Sequence, residues 1–187
     1  MIVGLTGRNA SGKGTVAAWL ESQGFGYTSL SDAIRLHLAD EGVEPTRDNL
    51  IAAGRKLRTE GGPGVLAEHT LRRIPQDVDF VVDSIRNPAE VQALRARPDF
   101  VLVEVAADET SRYDRLALRS RKGDAQSFSE FQRQEQAELA SGDPAAQQLV
   151  ATAALADVVV DNGGDLDALH AHLAAILPAW REKCARK

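Results

Sequence analysis

Cysteine is nearly absent from this 187-residue chain. Its single example, Cys184, lies near the C-terminal end. No disulfide can close within the chain, and no cysteine quartet can hold a zinc ion. A reducing, cytoplasmic setting is the expectation. Long apolar runs are also missing, and none approaches the roughly 20 residues that span a bilayer. The first residues read as a strand and a loop rather than as a signal peptide. Basic charge is not in excess, because the formal net charge is -5. That balance speaks against general nucleic-acid binding, but a small phosphate ligand needs only local arginines. His37, His69, His170 and His172 are scattered along helical stretches without metal-ligand spacing. Internal repeats and low-complexity tracts are lacking too. The expected partners are small-molecule nucleotide substrates, with neither nucleic acid nor membrane, and the expected state is a monomer or homodimer.

What is present is an ordinary globular composition, 43% hydrophobic and 26% charged, in a length that suits one domain with a real core. Near the start, Gly7-Arg8-Asn9-Ala10-Ser11-Gly12-Lys13-Gly14-Thr15 follows the apolar run Met1 to Leu5 and precedes the helical run Val16 to Leu20. Strand, glycine loop and helix form the context that a phosphate-cradling loop needs. Backbone N–H groups converge there, and the new helix points its positive end at the same anion. Lys13 adds a mobile point charge for the outer phosphates. Gly14 stands where Ser or Thr usually follows the lysine, and Thr15 comes one position later.

Further along, residues 25–30 read as a second short strand. Ser31 or Asp32 reads as the cap of the next helix. Thr46 caps a helix, which Gly61 to Gly64 breaks, and helical spacing resumes from Val65 to Ile74. Phe80-Val81-Val82 is strand-like and delivers Asp83, and Asn87-Pro88 starts a helix. Residues 100–105 read as a buried strand and 108–121 as an arginine-rich helix. Ser127-Phe128-Ser129-Glu130 is a capping box for a helix to about Ala140. Pro144 reads as opening another helix. Val158 to Val160 is the last strand, and Asp165 caps a closing helix through Leu177. Apolar strands alternating with helices imply a parallel sheet covered on both faces, with ligands at the strands' carboxyl ends. That rule predicts that the glycine loop, Asp32, and Asp83 with Arg86 converge.

These motifs resemble P-loop kinases of the nucleoside-monophosphate kinase type. They are nearest to a group spanning phage deoxynucleotide kinases, archaeal adenylate-kinase-related proteins and dephospho-coenzyme A kinase-like proteins. The segments that carry the resemblance are Gly12 to Thr15, Ser29 to Arg35, Val82 to Pro88 and Ala156 to Asn162. It implies a three-layer α/β P-loop NTPase fold with a five-stranded parallel sheet. A helical acceptor-binding insertion would occupy about 31–75 of the single domain 1–187, and a short lid about 115–140.

The resemblance further implies ATP held by Gly7 and Ala10 to Thr15, with Lys13 bridging its outer phosphates. Arg35 and Arg86 would grip the acceptor's phosphate, with Arg58 and Arg55 as weaker candidates. Arg115 and Arg119 would be lid arginines, and Asn162-Gly163 would lie near the donor adenine. Magnesium would sit at Thr15 and Asp83, partly through water. Asp32 has two open roles: general base for a hydroxyl acceptor, as in dephospho-coenzyme A kinase, or holder of magnesium waters for a phosphate acceptor. Gly42 to Ile74 shows no adenine-specific motif, which favours another monophosphate, deoxynucleotides included. A nucleotide-binding regulatory ATPase is the alternative from a different class.

Overall fold

The computed structural model describes residues 1–119, 124–139 and 143–185. Five strands, β1 (Ile2–Thr6), β2 (Gly26–Ser29), β3 (Phe80–Asp83), β4 (Phe100–Ala106) and β5 (Val158–Asp161), form one sheet. Their order is β2-β3-β1-β4-β5 and every pairing is parallel. The register aligns Val3 of β1 with Val81 on one side and Val101 on the other. β1 is buried throughout, so its side chains divide between two cores with the period of two that a strand imposes.

Val3 and Leu5 face a core shared with α1 (Lys13–Ser22) and α9 (Leu166–Ala185), where Val16, Leu20, Leu173 and Trp180 are buried. Ile2 faces the opposite core. There α2 (Leu30–Asp40), α4 (Val65–Leu71) and α5 (Pro88–Leu94) contribute Ile34, Leu38, Leu66, Val91 and Leu94. The same face of β1 carries Gly4, where a Cβ would run into the Ile85 and Phe100 side chains. The remaining described helices are α3 (Arg47–Gly61), α6 (Glu109–Arg119), α7 (Phe128–Leu139) and α8 (Leu149–Ala153). Because the chain passes from β1 to β2 and β3 on one side and then crosses to β4 on the other, the crevice opens above the carboxyl ends of β1 and β3.

Local signals mostly place the elements where they are found. Asn87 caps α5 in a full capping box with Glu90, and Pro88 opens the helix. Thr46 caps α3 through its hydroxyl, which accepts from the Asn49 N–H. Ser127 Oγ accepts from the Glu130 N–H at 3.2 Å.

Four expectations are corrected. Ser29, not Ser31 or Asp32, caps α2, because the chain turns helical as soon as it leaves the sheet. β2 accordingly spans Gly26–Ser29, and Leu30 is already helical. Pro144 opens no helix: its carbonyl is taken by the Asn87 side chain, and α8 begins only at Leu149. The closing helix runs past Leu177 and Pro178 to Ala185, because Leu177 and Trp180 continue its buried face. In the short connection after α6, Arg121, Lys122 and Gly123 lie outside the described residues, as does Ala140.

Candidate functional site

The glycine loop joins β1 to α1 and bends where side chains would obstruct it. Gly7 has φ +137°, with Val105 O where its Cβ would be, and Gly12 has φ +99°, with the Asn162 amide in that place. Ala10 takes the left-handed region at φ 59° without being glycine, a strain that such loops hold through surrounding contacts. Thr15 and Val16 donate their N–H groups to Gly12 O, which starts the helix. The N–H groups of Gly12 and Gly14 have no acceptor among the described residues. The buried Ser11 hydroxyl also has no hydrogen-bond partner among the described residues. Lys13 Nζ lies back on Gly7 O at 2.8 Å and Arg8 O at 3.0 Å. This is a donor-rich cradle that fits a phosphate chain.

In front of the loop lies a cavity of about 750 Å³. Its cationic lining consists of Lys13, Arg35, Arg47, Arg58, Arg86, Arg115 and Arg119, against the carboxylates Asp83 and Asp124 among the described residues. The chain as a whole is acidic, so cations are concentrated here.

The cations differ in how their charge is met. Arg119 is held in a fork by Asp124, at 2.7 and 2.8 Å, and also reaches Asn9 Oδ1. Arg58 is buried on Glu90. Arg35 donates to Ser31 Oγ at 2.6 Å and to Asp32 Oδ1 at 3.1 Å, with both ends of the ion pair exposed. Arg115 ties the loop to the β5 end, through Ser11 O at 3.3 Å and Asn162 O at 2.5 Å. Arg86, half-buried, meets only the neutral Gln147 amide, at 2.9 Å, among the described residues.

Asp83 ends β3 beside the loop and is nearly buried. Its Oδ1 accepts from the Ser84 N–H at 2.5 Å and its Oδ2 from the Tyr27 hydroxyl at 3.4 Å. Ser84 itself sits at φ 65°, a second strained residue on the cavity wall. Burial, then the negative charges of Asp83 and Asp32, push the Tyr27 phenol up to about 12, so it remains a proton donor. Thr15 and Asp83 offer hard oxygen ligands of the kind magnesium takes when substrate phosphates and water complete its shell.

The predicted convergence holds for the glycine loop, Asp83 and Arg86, which line one cavity, and Arg35, named through the resemblance, lines it too. It does not hold for Asp32. Because α2 begins at Leu30, one helical face, with Ser31, Ile34 and Arg35, looks into the cavity. Asp32, Ala33, Leu36 and Asp40 line an adjoining groove of about 390 Å³, which shares Tyr27 and Ser29 with the cavity. Asn162 and Gly163 do not line the cavity either; Asn162 braces the loop from behind, donating to Ser11 O at 2.9 Å.

No family model matches the chain. A UPF0200 protein of Methanothermobacter thermautotrophicus is 35% identical over 145 residues, covering 76% of this chain and 74% of the relative. Another, of Pyrococcus furiosus, is 31% identical over 184 residues and covers 95% and 96%. The chain belongs to the UPF0200 family. Among solved structures, TT1252 from Thermus thermophilus aligns with a TM-score of 0.60 at 24% identity, covering 96% of this chain and 97% of that one. A shikimate kinase from Bacteroides thetaiotaomicron gives 0.60 at 14%, covering 95% and 98%. This UPF0200 chain therefore has the α/β P-loop fold.

Several site residues of the UPF0200 chain carry no local sequence signal. Gln147 and Tyr27 join the site only through the turn and the edge strand that bring them there. Glu90 is different: as third residue after the Asn87 cap, its place in a capping box could have been read. The Arg112–Glu135 pair, buried between α6 and α7, joins residues 23 apart in sequence.

Proposed function

We propose that this protein moves the γ-phosphoryl group of ATP to a nucleoside monophosphate, with magnesium. The fold supports kinase chemistry in kind, since similar solved structures include shikimate kinases and a sugar kinase. The observation that carries the phosphate acceptor is the orientation of Asp32. A hydroxyl acceptor needs a base within hydrogen-bond reach. Asp32, the residue available for that task, lines the adjoining groove and not the cavity itself. Asp83 is taken by magnesium in this reading, and both oxygens of Asp124 are held by Arg119. A phosphate acceptor needs cations instead, and the half-buried Arg86 supplies one that no carboxylate neutralises among the described residues.

In this reading the Gly12 and Gly14 N–H groups and Lys13 bind the donor's outer phosphates. Arg86 and Arg35 bind the acceptor phosphate, whose oxygen attacks the γ-phosphorus as the bond to the β-phosphate oxygen breaks. Arg115 and Arg119, placed by Ser11, Asn162 and Asp124, close the donor side. Magnesium, held by Thr15 and Asp83, supplies charge neutralisation for the transferring group. Positioning and charge do the chemistry, without a covalent intermediate on the protein.

The test is ADP release from ATP and magnesium across the ribo- and deoxynucleoside monophosphates and dephospho-coenzyme A. Stimulation by one monophosphate is expected. Stimulation by dephospho-coenzyme A alone would overturn the phosphate acceptor, and slow release unaffected by any acceptor would indicate a regulatory ATPase.

A further inference from the structure

The turn at 143–148 is anchored firmly to the loop between β3 and α5. Asn87 Nδ2 donates to Pro144 O at 2.7 Å and to Ala146 O at 3.0 Å. The Gln148 N–H donates to Arg86 O at 2.8 Å. Arg55 of α3 pairs with Asp143 at 2.7 Å. Between these anchors Gln147 reaches the cavity, where its Oε1 accepts from Arg86 Nη1 at 2.9 Å. An arginine only donates, so the amide must present its oxygen to Arg86 and its NH2 group elsewhere. That NH2 group has no acceptor among the described residues.

We propose that Gln147 is a specificity-determining residue of the acceptor site. Its Oε1 orients the Arg86 guanidinium without neutralising it, while its Nε2 donates to the same acceptor phosphate. This rests on the reading of Arg86 as the acceptor-phosphate ligand. The neutrality of the amide is the point. A carboxylate in the same place would pair with Arg86 in a strong charge-assisted fork and repel an incoming phosphate dianion. The anchored turn fixes the amide, so little side-chain freedom is lost when a ligand arrives.

Inorganic phosphate, titrated calorimetrically into the full chain, reads the site without any transfer reaction. Two classes of binding are expected in the wild type, one removed by Lys13→Ala and the other by Arg86→Ala. Gln147→Ala should weaken the Arg86-dependent class about tenfold, the loss of one hydrogen bond to a charged group. Gln147→Glu should weaken it by about 100-fold or more at neutral pH. That loss should shrink, relative to wild type at the same pH, as pH falls into the ordinary carboxylate range and the new side chain is protonated. Both variants should keep the Lys13-dependent class and the wild-type melting temperature.

Equal effects of the two substitutions at every pH would overturn the inference while leaving Arg86 as a phosphate ligand. Absence of any Arg86-dependent phosphate binding in the wild type would instead remove the acceptor reading, and this inference with it.

Discussion

Arg58 and Glu90 form an ion pair sealed from solvent, with exposures of 3% and 0%. Arg58 Nε and Nη2 donate to Glu90 Oε1 at 2.9 and 2.7 Å. The other carboxylate oxygen accepts the N–H groups of Arg86 and Asn87 at 2.8 and 3.0 Å. One buried carboxylate therefore fixes α3 to the loop that carries Arg86, whose charge no carboxylate meets among the described residues. Arg58, expected from the sequence to grip the acceptor, already has its charge met inside the protein.

Glu90→Gln should destabilise the fold by roughly 3–5 kcal/mol, because it leaves the Arg58 charge buried without a counter-charge and replaces one acceptor oxygen by a donor. Thermal unfolding measures this directly. A variant that melts with the wild type would show that the pair does not organise the acceptor side.

Lys13→Ala should lower phosphoryl transfer by roughly 10²–10³-fold, the usual effect of removing one preorganised charge. The Lys13 ammonium donates to the Gly7 and Arg8 carbonyls, so a thermal melt run beside the assay separates a folded, inactive variant from an unfolded one. Retained turnover in a steady-state assay would contradict the donor-site assignment.

Asp32→Asn should leave turnover within about twofold of wild type, because the carboxylate lines the outer groove and pairs with Arg35. A general base lost from the same position would cost at least about 10²-fold. Kinetics of the purified variant separate these outcomes, and the larger loss would restore the hydroxyl acceptor.

Of the chain's two tyrosines, Tyr27 should ionise late, at about 12 instead of the ordinary 10.0. The sign for stability follows from linkage. The unfolded chain loses this proton first, so the stabilisation is complete below pH about 10 and fades as pH rises towards 12. Ultraviolet titration of wild type against Tyr27→Phe isolates the step, and an ordinary Tyr27 ionisation would mean that the phenol does not sit against Asp83.

Much of this molecule is legible along the chain. The glycine loop, the Thr46 and Asn87 caps and the apolar strands depend on residues within a few positions of one another. Local chemistry of that kind sets where elements begin, and the alternation of apolar strands with helices sets a parallel sheet. The rule that ligands gather at strand ends brought Thr15, Asp83 and Arg86 to one cavity, and the family resemblance named Arg35.

Tertiary structure decided which side chains face that cavity and how much charge each retains. Capping at Ser29 rotated α2 so that Arg35 entered and Asp32 left, a choice that a shift of one or two residues in the helix start reverses. Glu90, Asp124 and Gln147 decided the charge states around the site, and each partner is met across the fold or across a turn. Sequence by itself determined the phosphate cradle, because a few adjacent residues build it. The cations of the cavity were told apart only by packing, because a cation's worth there depends on whether a distant carboxylate reaches it.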